Sequence, residues 1–148
     1  SELNDLGFKT VADIKNIYDI AGRAMAAQLV RLNTIASNLA NAGNLASSED
    51  EAYRSLKPVF ETKYADEVRK NGIATAQAVD IVESNRLPEK LYLPDHPSAD
   101  DDGFVYSAAV NIEEEYVEMM EASRQYQNNV EVITTLRTLM MRTISMGK

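Results

Sequence analysis

The sequence predicts a mainly α fold with a small β insert: long N- and C-terminal helices packed as a coiled-coil-like hairpin, with a short β-rich segment between them. Three observations predict it. From Ile14 to Leu39 the large or apolar residues recur at alternating steps of four and three, the same spacing returns from Ile112 to Ile144, and all four prolines fall between positions 58 and 97.

Taken in order, residues 1–13 read as an N-terminal extension. Glu2, Asp5, Lys9 and Asp13 are scattered through it, so no basic-then-apolar leader pattern is visible. Residues 14–46 are the N-terminal helical segment, its seam made of Ile14, Tyr18, Ala21, Met25, Gln28, Leu32, Ile35 and Leu39, with Gln28 its clearly polar member. A helix over 14–42 is about 44 Å long at roughly 1.5 Å per residue. Gly43 is expected to close it in the left-handed conformation.

The middle segment, 47–110, loses the helical period. Residues 59–64 and 72–83 alternate as strands do; in the second, Ile73, Thr75, Val79 and Ile81 fall on one face and Ala74, Ala76, Ala78 and Val82 on the other. Shorter strands are expected at 91–93 and 104–106. The C-terminal helix occupies 111–148, with a seam of Ile112, Tyr116, Met119, Ser123, Tyr126, Val130, Ile133, Arg137, Met140 and Ile144. Asn111 followed by Glu114 has the spacing of a capping box, Glu113 to Glu115 suit the positive end of the helix dipole, and Arg137, Arg142 and Lys148 suit the other end.

Composition narrows the function. In 148 residues there are 15 Lys and Arg against 23 Asp and Glu, a formal charge of −8, which disfavours binding to nucleic acid or to an anionic bilayer. There is no cysteine, one histidine and no tryptophan, so thiolate chemistry is excluded and a catalytic triad rests on His96 alone. The uncharged stretch from Leu32 to Ser48 carries Asn33, Asn38, Asn41 and Asn44, too polar for direct membrane insertion.

The acid is concentrated. Residues 95–121 hold four Asp and five Glu with no Lys or Arg. Asp100, Asp102 and Gly103 match positions 3, 5 and 6 of a calcium loop, but the first ligand position falls on Ser98 and the bidentate glutamate position on Ala109, so no metal is expected. No apolar pocket is evident around the carboxylate pairs to raise one pKa, His96 sits between Asp95 and Pro97 as a turn residue, and Met119-Met120 and Met140-Met141 fall at or beside the seam as packing residues. No catalytic residue and no cofactor is expected.

A helix with one face in water normally carries charge on it, yet Leu32 to Ser48 has none. Thr34, Ser37, Asn38 and Asn41 lie opposite the Leu32, Ile35, Leu39 seam, flanked by Ala36 and Ala40. Such a face suits close contact with another backbone, here a neighbouring subunit; amides exposed near a helix end are the alternative. On this reading Asn38→Asp and Asn41→Asp are expected to block assembly while leaving the chain itself intact.

The run Ala36-Ser37-Asn38-Leu39-Ala40-Asn41-Ala42, behind an amphipathic N-terminal helix, resembles the signature of bacterial flagellar rod and hook proteins. Tyr53-Arg54 before Val59-Phe60, Asp95-His96-Pro97 with Ala99-Asp100 and Gly103-Phe104-Val105, and Val110-Asn111 resemble the proximal-rod branch of that family. So do Ala122-Ser123-Arg124-Gln125-Tyr126-Gln127 with Asn129-Val130-Glu131, and the closing Thr143-Ile144-Ser145-Met146-Gly147. The resemblance covers residues 16–148. It implies a structural subunit of the proximal rod of the flagellar basal body, arranged helically to transmit torque and exported by the flagellar type III apparatus without a cleaved signal peptide. It implies as partners other rod subunits in homo- and hetero-assembly, MS-ring and export-gate components, and the surrounding rings.

Seams and uncharged face together give the expected subunit contacts: Gln28, Leu32, Ile35, Ser37, Asn38, Leu39, Ala40, Asn41, Tyr126, Val130, Ile133, Met140 and Ile144. A soluble coiled-coil adaptor binding one partner helix explains the seams but not the uncharged face. For an enzyme only the acidic cluster speaks.

Overall fold

Two long helices enclose the β elements in the chain, as the spacing predicts. The computed structural model describes residues 11–63 and 75–146. In order they form α1 (Val11–Asn41), β1 (Leu45–Ala46), β2 (Leu56–Lys63), β3 (Thr75–Glu83), β4 (Lys90–Tyr92), β5 (Phe104–Ser107) and α2 (Ile112–Met146). Residues 1–10 of the expected extension, and the expected strand residues at 64 and 72–74, lie outside the described residues.

Strand β2 begins three residues earlier than expected, β4 is shifted by one residue and β5 is one longer, and around α1 the differences are larger. Helix α1 already includes Val11 to Asp13, so part of the expected extension is helical. Leu45 and Ala46, placed with the helical segment, pair instead as β1. Gly43 does not adopt a positive φ; the helix is closed by tight turns, Ala42 N donating to Leu39 O and Asn44 N to Asn41 O. Asn41 supplies the remaining cap, its Nδ2 donating to Ser37 O at 2.8 Å. The left-handed glycine is Gly103, at φ 86°.

The start of α2 follows the sequence more closely. Asn111 Oδ1 accepts from Glu114 N at 3.0 Å, the first half of the capping box. The reciprocal half is replaced, because the Glu114 carboxylate accepts from Arg86 Nη2 at 2.9 and 3.1 Å.

The chain divides into two compact units. Of the described residues, 11–29, 60–63, 75–77 and 123–146 belong to the first, and 30–59 and 78–122 to the second. In the first unit α1 and α2 run antiparallel: Tyr18 Oη donates to Ile133 O at 3.3 Å, and ten residues later Gln28 Nε2 donates to Gln125 Oε1 at 2.8 Å. The polar position in the α1 seam thus meets an amide of its own kind. Ile14, Ala21, Ala27 and Leu136 are buried there.

In the second unit an Arg31–Glu118 ion pair at 2.7 Å joins the end of α1 to the start of α2, beside a sheet. Its strand order is β1-β5-β4, with Leu45 opposite Ser107, Leu91 opposite Val105 and Tyr92 opposite Phe104. Alternation puts Leu91 and the fully buried Val105 on the inner face and Lys90, Tyr92, Phe104 and Tyr106 on the outer one. Strands β2 and β3 pair separately as a two-stranded ribbon. Ile81 and Val82, expected on opposite faces of β3, are both exposed.

Candidate functional site

The signature segment at the end of α1 is built around Asn38, which is 1% exposed. Its side-chain amide pairs with the backbone of Leu56 as a strand would: Oδ1 accepts from Leu56 N at 2.8 Å and Nδ2 donates to Leu56 O at 3.0 Å. Both remaining capacities are also used. Oδ1 accepts from Tyr53 Oη at 2.8 Å, and Nδ2 donates to Glu115 Oε2 at 3.1 Å. Ser37 Oγ lies 3.2 Å from the same Tyr53 oxygen, and since that hydroxyl donates to Asn38 it accepts from Ser37.

One side chain therefore ties together the end of α1, the entry to β2 and the first turn of α2. Neighbouring bonds extend the clamp. Ser55 N and Oγ both donate to Ala109 O, at 3.2 and 2.8 Å, and Ala109 N donates to Tyr53 O at 2.7 Å. Asn41 Oδ1 accepts from Asn44 Nδ2 at 2.8 Å, and Asn44 O accepts from Ala108 N at 3.2 Å. Among the described residues no buried side-chain nitrogen or oxygen lacks a partner.

For Thr34 and Asn38 this differs from the expectation of an outward face. Thr34 and Asn38 are buried within their own subunit, Ser37 and Asn41 are half-buried, and only Ala36 and Ala40 of that segment's alanines are exposed. The physical reason is that an amide can stand in for a backbone peptide group, carrying one donor and one acceptor edge. A helix can thereby grip an adjacent chain segment without any charge.

The other expected contact residues separate into two groups. Ile35 is buried, and Gln28, Leu32, Leu39, Tyr126, Ile133 and Met140 are half-buried. Val130 and Ile144 are exposed. On α2 the buried positions are Glu115, Ala122 and Leu136, at sevenfold spacing, with Met119, Tyr126, Ile133 and Met140 beside them. The seam against α1 is this set. Of the residues read as seam from the sequence, Tyr116, Val130, Arg137 and Ile144 lie one step round the helix and are exposed, and Ile112, in line with Met119, is exposed in the first turn.

Apolar residues on this flank of α2 are thus left exposed in each unit: Tyr116 and Met120 in the second, and Val130, Met141 and Ile144 in the first. Leu136, outside the four-three series, is 4% exposed, while Ile144, within it, is 61% exposed. Sequence reasoning missed Tyr53, Leu56 and Glu115 as clamp partners. Tyr53 was signalled only by its place in the family resemblance, and Glu115 only as a helix-start charge.

The acidic loop is organised internally. Asp100 Oδ1 accepts from Asp102 N and Phe104 N at 3.0 and 2.8 Å, and His96 Nδ1 accepts from Ser98 N at 3.0 Å, which makes both turn residues. Among the described residues no helix is long and apolar enough to cross a membrane.

Two family models match the chain. "Flagella basal body rod protein" covers residues 19–42, the end of α1 with its clamp, and "Flagellar basal body rod FlgEFG protein C-terminal" covers residues 101–146. The flagellar basal-body rod protein FlgC of Salmonella typhimurium is 40% identical over 134 residues, spanning 90% of this chain and 97% of that protein. The chain belongs to the FlgC family of flagellar basal-body rod proteins. FlgC of Escherichia coli O157:H7 is 40% identical over 133 residues, and the more distant FlgC of Aquifex aeolicus is 32% identical over 138 residues, covering 98% of its length. FlgC proteins are structural components of the basal-body rod, not enzymes, and assemble with other basal-body components.

Proposed function

We propose that this chain is a subunit of the proximal rod, assembling helically with copies of itself and with other rod subunits so that torque passes from motor to hook and filament. MS-ring and export-gate components at one end, and the surrounding rings, complete the set of neighbours. Export by the flagellar type III apparatus is the route this reading implies.

The open flank of α2 carries the proposal. A helix whose inner seam is already filled by α1 has no intramolecular use for Val130, Met141 and Ile144 on its adjacent side, and apolar residues left exposed there mark a surface that another chain covers. The half-buried Tyr126, Ile133 and Met140 border both sides and serve inner seam and outer contact together. Gln28, Leu32, Ile35, Leu39, Ser37, Asn38 and Asn41 act indirectly, by holding the subunit that presents this surface. Exposed Ala40 leaves room for close approach.

The test is a double variant, Val130→Asp with Ile144→Asp. Both sites are exposed, so the isolated chain keeps its helicity and its denaturation midpoint. Incorporation into basal bodies and swimming are lost, because two carboxylates then replace apolar contacts and must be desolvated when the neighbouring chain covers them. Normal basal bodies in that variant refute the assignment. An adaptor would instead give a defined small oligomer by size exclusion.

A further inference from the structure

The outer face of the three-stranded sheet carries a second surface, separate from the α2 flank. Tyr92 is 64% exposed yet firmly placed. Its ring meets Phe104 edge-on at 5.2 Å between centroids, and it rests against Gly103, where an added Cβ would lie 2.9 Å from Tyr92 Cε2 and 3.0 Å from Pro94 Cβ. The left-handed glycine therefore makes the seat for the exposed ring. Leu93 beside it is also exposed.

The rim is acidic. Leu93 N donates to Gly103 O and Gly103 N to Asp100 O, both at 3.0 Å, and Asp100 N donates to Phe104 O at 2.8 Å, so the loop is fixed with Asp95, Asp101 and Asp102 exposed around the patch. From residue 91 to 110 the sequence has no Lys or Arg. The preceding cation, Lys90, lies over the Phe104 ring at 4.2 Å.

We infer that Tyr92 and Leu93, rimmed by Asp95, Asp101 and Asp102, form a docking surface for a basic segment of a protein other than this chain, with Tyr92 as the anchor. A held aromatic with few rotamers loses little entropy on burial, which is what a binding hot spot requires. The charge selects the occupant. A second copy presenting the same patch would set three carboxylates against three, whereas Lys or Arg around an apolar slot satisfies both anchor and rim.

The experiment places a photo-crosslinking benzoylphenylalanine at position 92, and separately at position 93, in the full chain. Basal bodies are irradiated and purified, and the adducts are mapped by mass spectrometry. The expected result is an adduct to a different protein at a Lys- or Arg-bearing peptide, with yield falling roughly tenfold in the Asp101→Lys/Asp102→Lys background and preserved in Asp101→Glu/Asp102→Glu. Adducts only to another copy of the chain, no adduct in basal bodies that contain it, or indifference to charge reversal would each overturn the inference. Exclusion of both labelled chains from basal bodies would assign the patch to rod assembly itself and overturn it as well. Failure of the α2 assignment is separately visible, as normal incorporation of the Val130→Asp/Ile144→Asp chain.

Discussion

At the end of α1 an uncharged polar face turns into its own subunit, whereas along α2 a line of apolar side chains turns out of it. Asn38 finds all its partners at home in Leu56, Tyr53 and Glu115, while Ile112, Tyr116, Val130 and Ile144 find few. Polarity therefore does not say which way a helix face points. What decides is whether the groups on that face can be satisfied inside the subunit, and an amide that pairs with a peptide group can, whereas an apolar row beyond the filled seam cannot.

The strongest way to break this comparison is Asn38→Asp. The change is nearly isosteric, but it replaces the Nδ2 donor by an oxygen facing Leu56 O and the Glu115 carboxylate in a buried site. The isolated chain is expected to lose about 3–5 kcal/mol, the usual cost of leaving a buried charge uncompensated, read from urea denaturation. A loss below about 0.5 kcal/mol, the usual range for surface changes, would mean the face is solvated.

Next in size is a contrast within α2. Leu136→Ala removes a buried side chain and is expected to cost about 2–5 kcal/mol. Ile144→Ala, two turns further along, should stay within about 0.5 kcal/mol in the isolated chain. Equal effects at the two sites would erase the distinction between inner seam and open flank.

How much of this was legible in the sequence follows from the range of the interactions. The two helices and the interrupted middle were readable because periodicity and proline placement act over a few residues. The Asn111 cap was readable for the same reason, its bond reaching Glu114 three positions on. The clamp was not. The partners of Asn38 lie 15, 18 and 77 positions away, and no local pattern marks Leu56, whose contribution is its backbone. The direction of the α2 seam was also hidden, since Met119, Tyr126, Ile133 and Met140 fit both the true seam through Glu115, Ala122 and Leu136 and the alternative through Tyr116, Val130 and Ile144. Alanine at 122 and glutamate at 115 carry no large apolar side chain to mark the true one, and Glu115 is buried with its bond to Asn38, 77 positions away. Gly43 shows the limit of composition rules: Asn41 and Asn44 close the helix by side-chain bonds, leaving no need for a left-handed residue.

The smallest expected effect concerns the part that reads correctly. Asn111→Ala removes the bond to Glu114 N and should cost about 1 kcal/mol, measured by thermal denaturation of the isolated chain. It should not alter incorporation into basal bodies, which separates the start of α2 from its open flank.

Hydrogen exchange at the Leu56 amide in the isolated chain tests the central claim most directly, since that N–H is bonded to Asn38 Oδ1 at 2.8 Å. The account predicts slow exchange in the free subunit, accelerated by Asn38→Ala. Exchange at the unprotected rate in the free subunit, with protection gained only inside the basal body, would show that the signature segment acts between subunits and contradict the account.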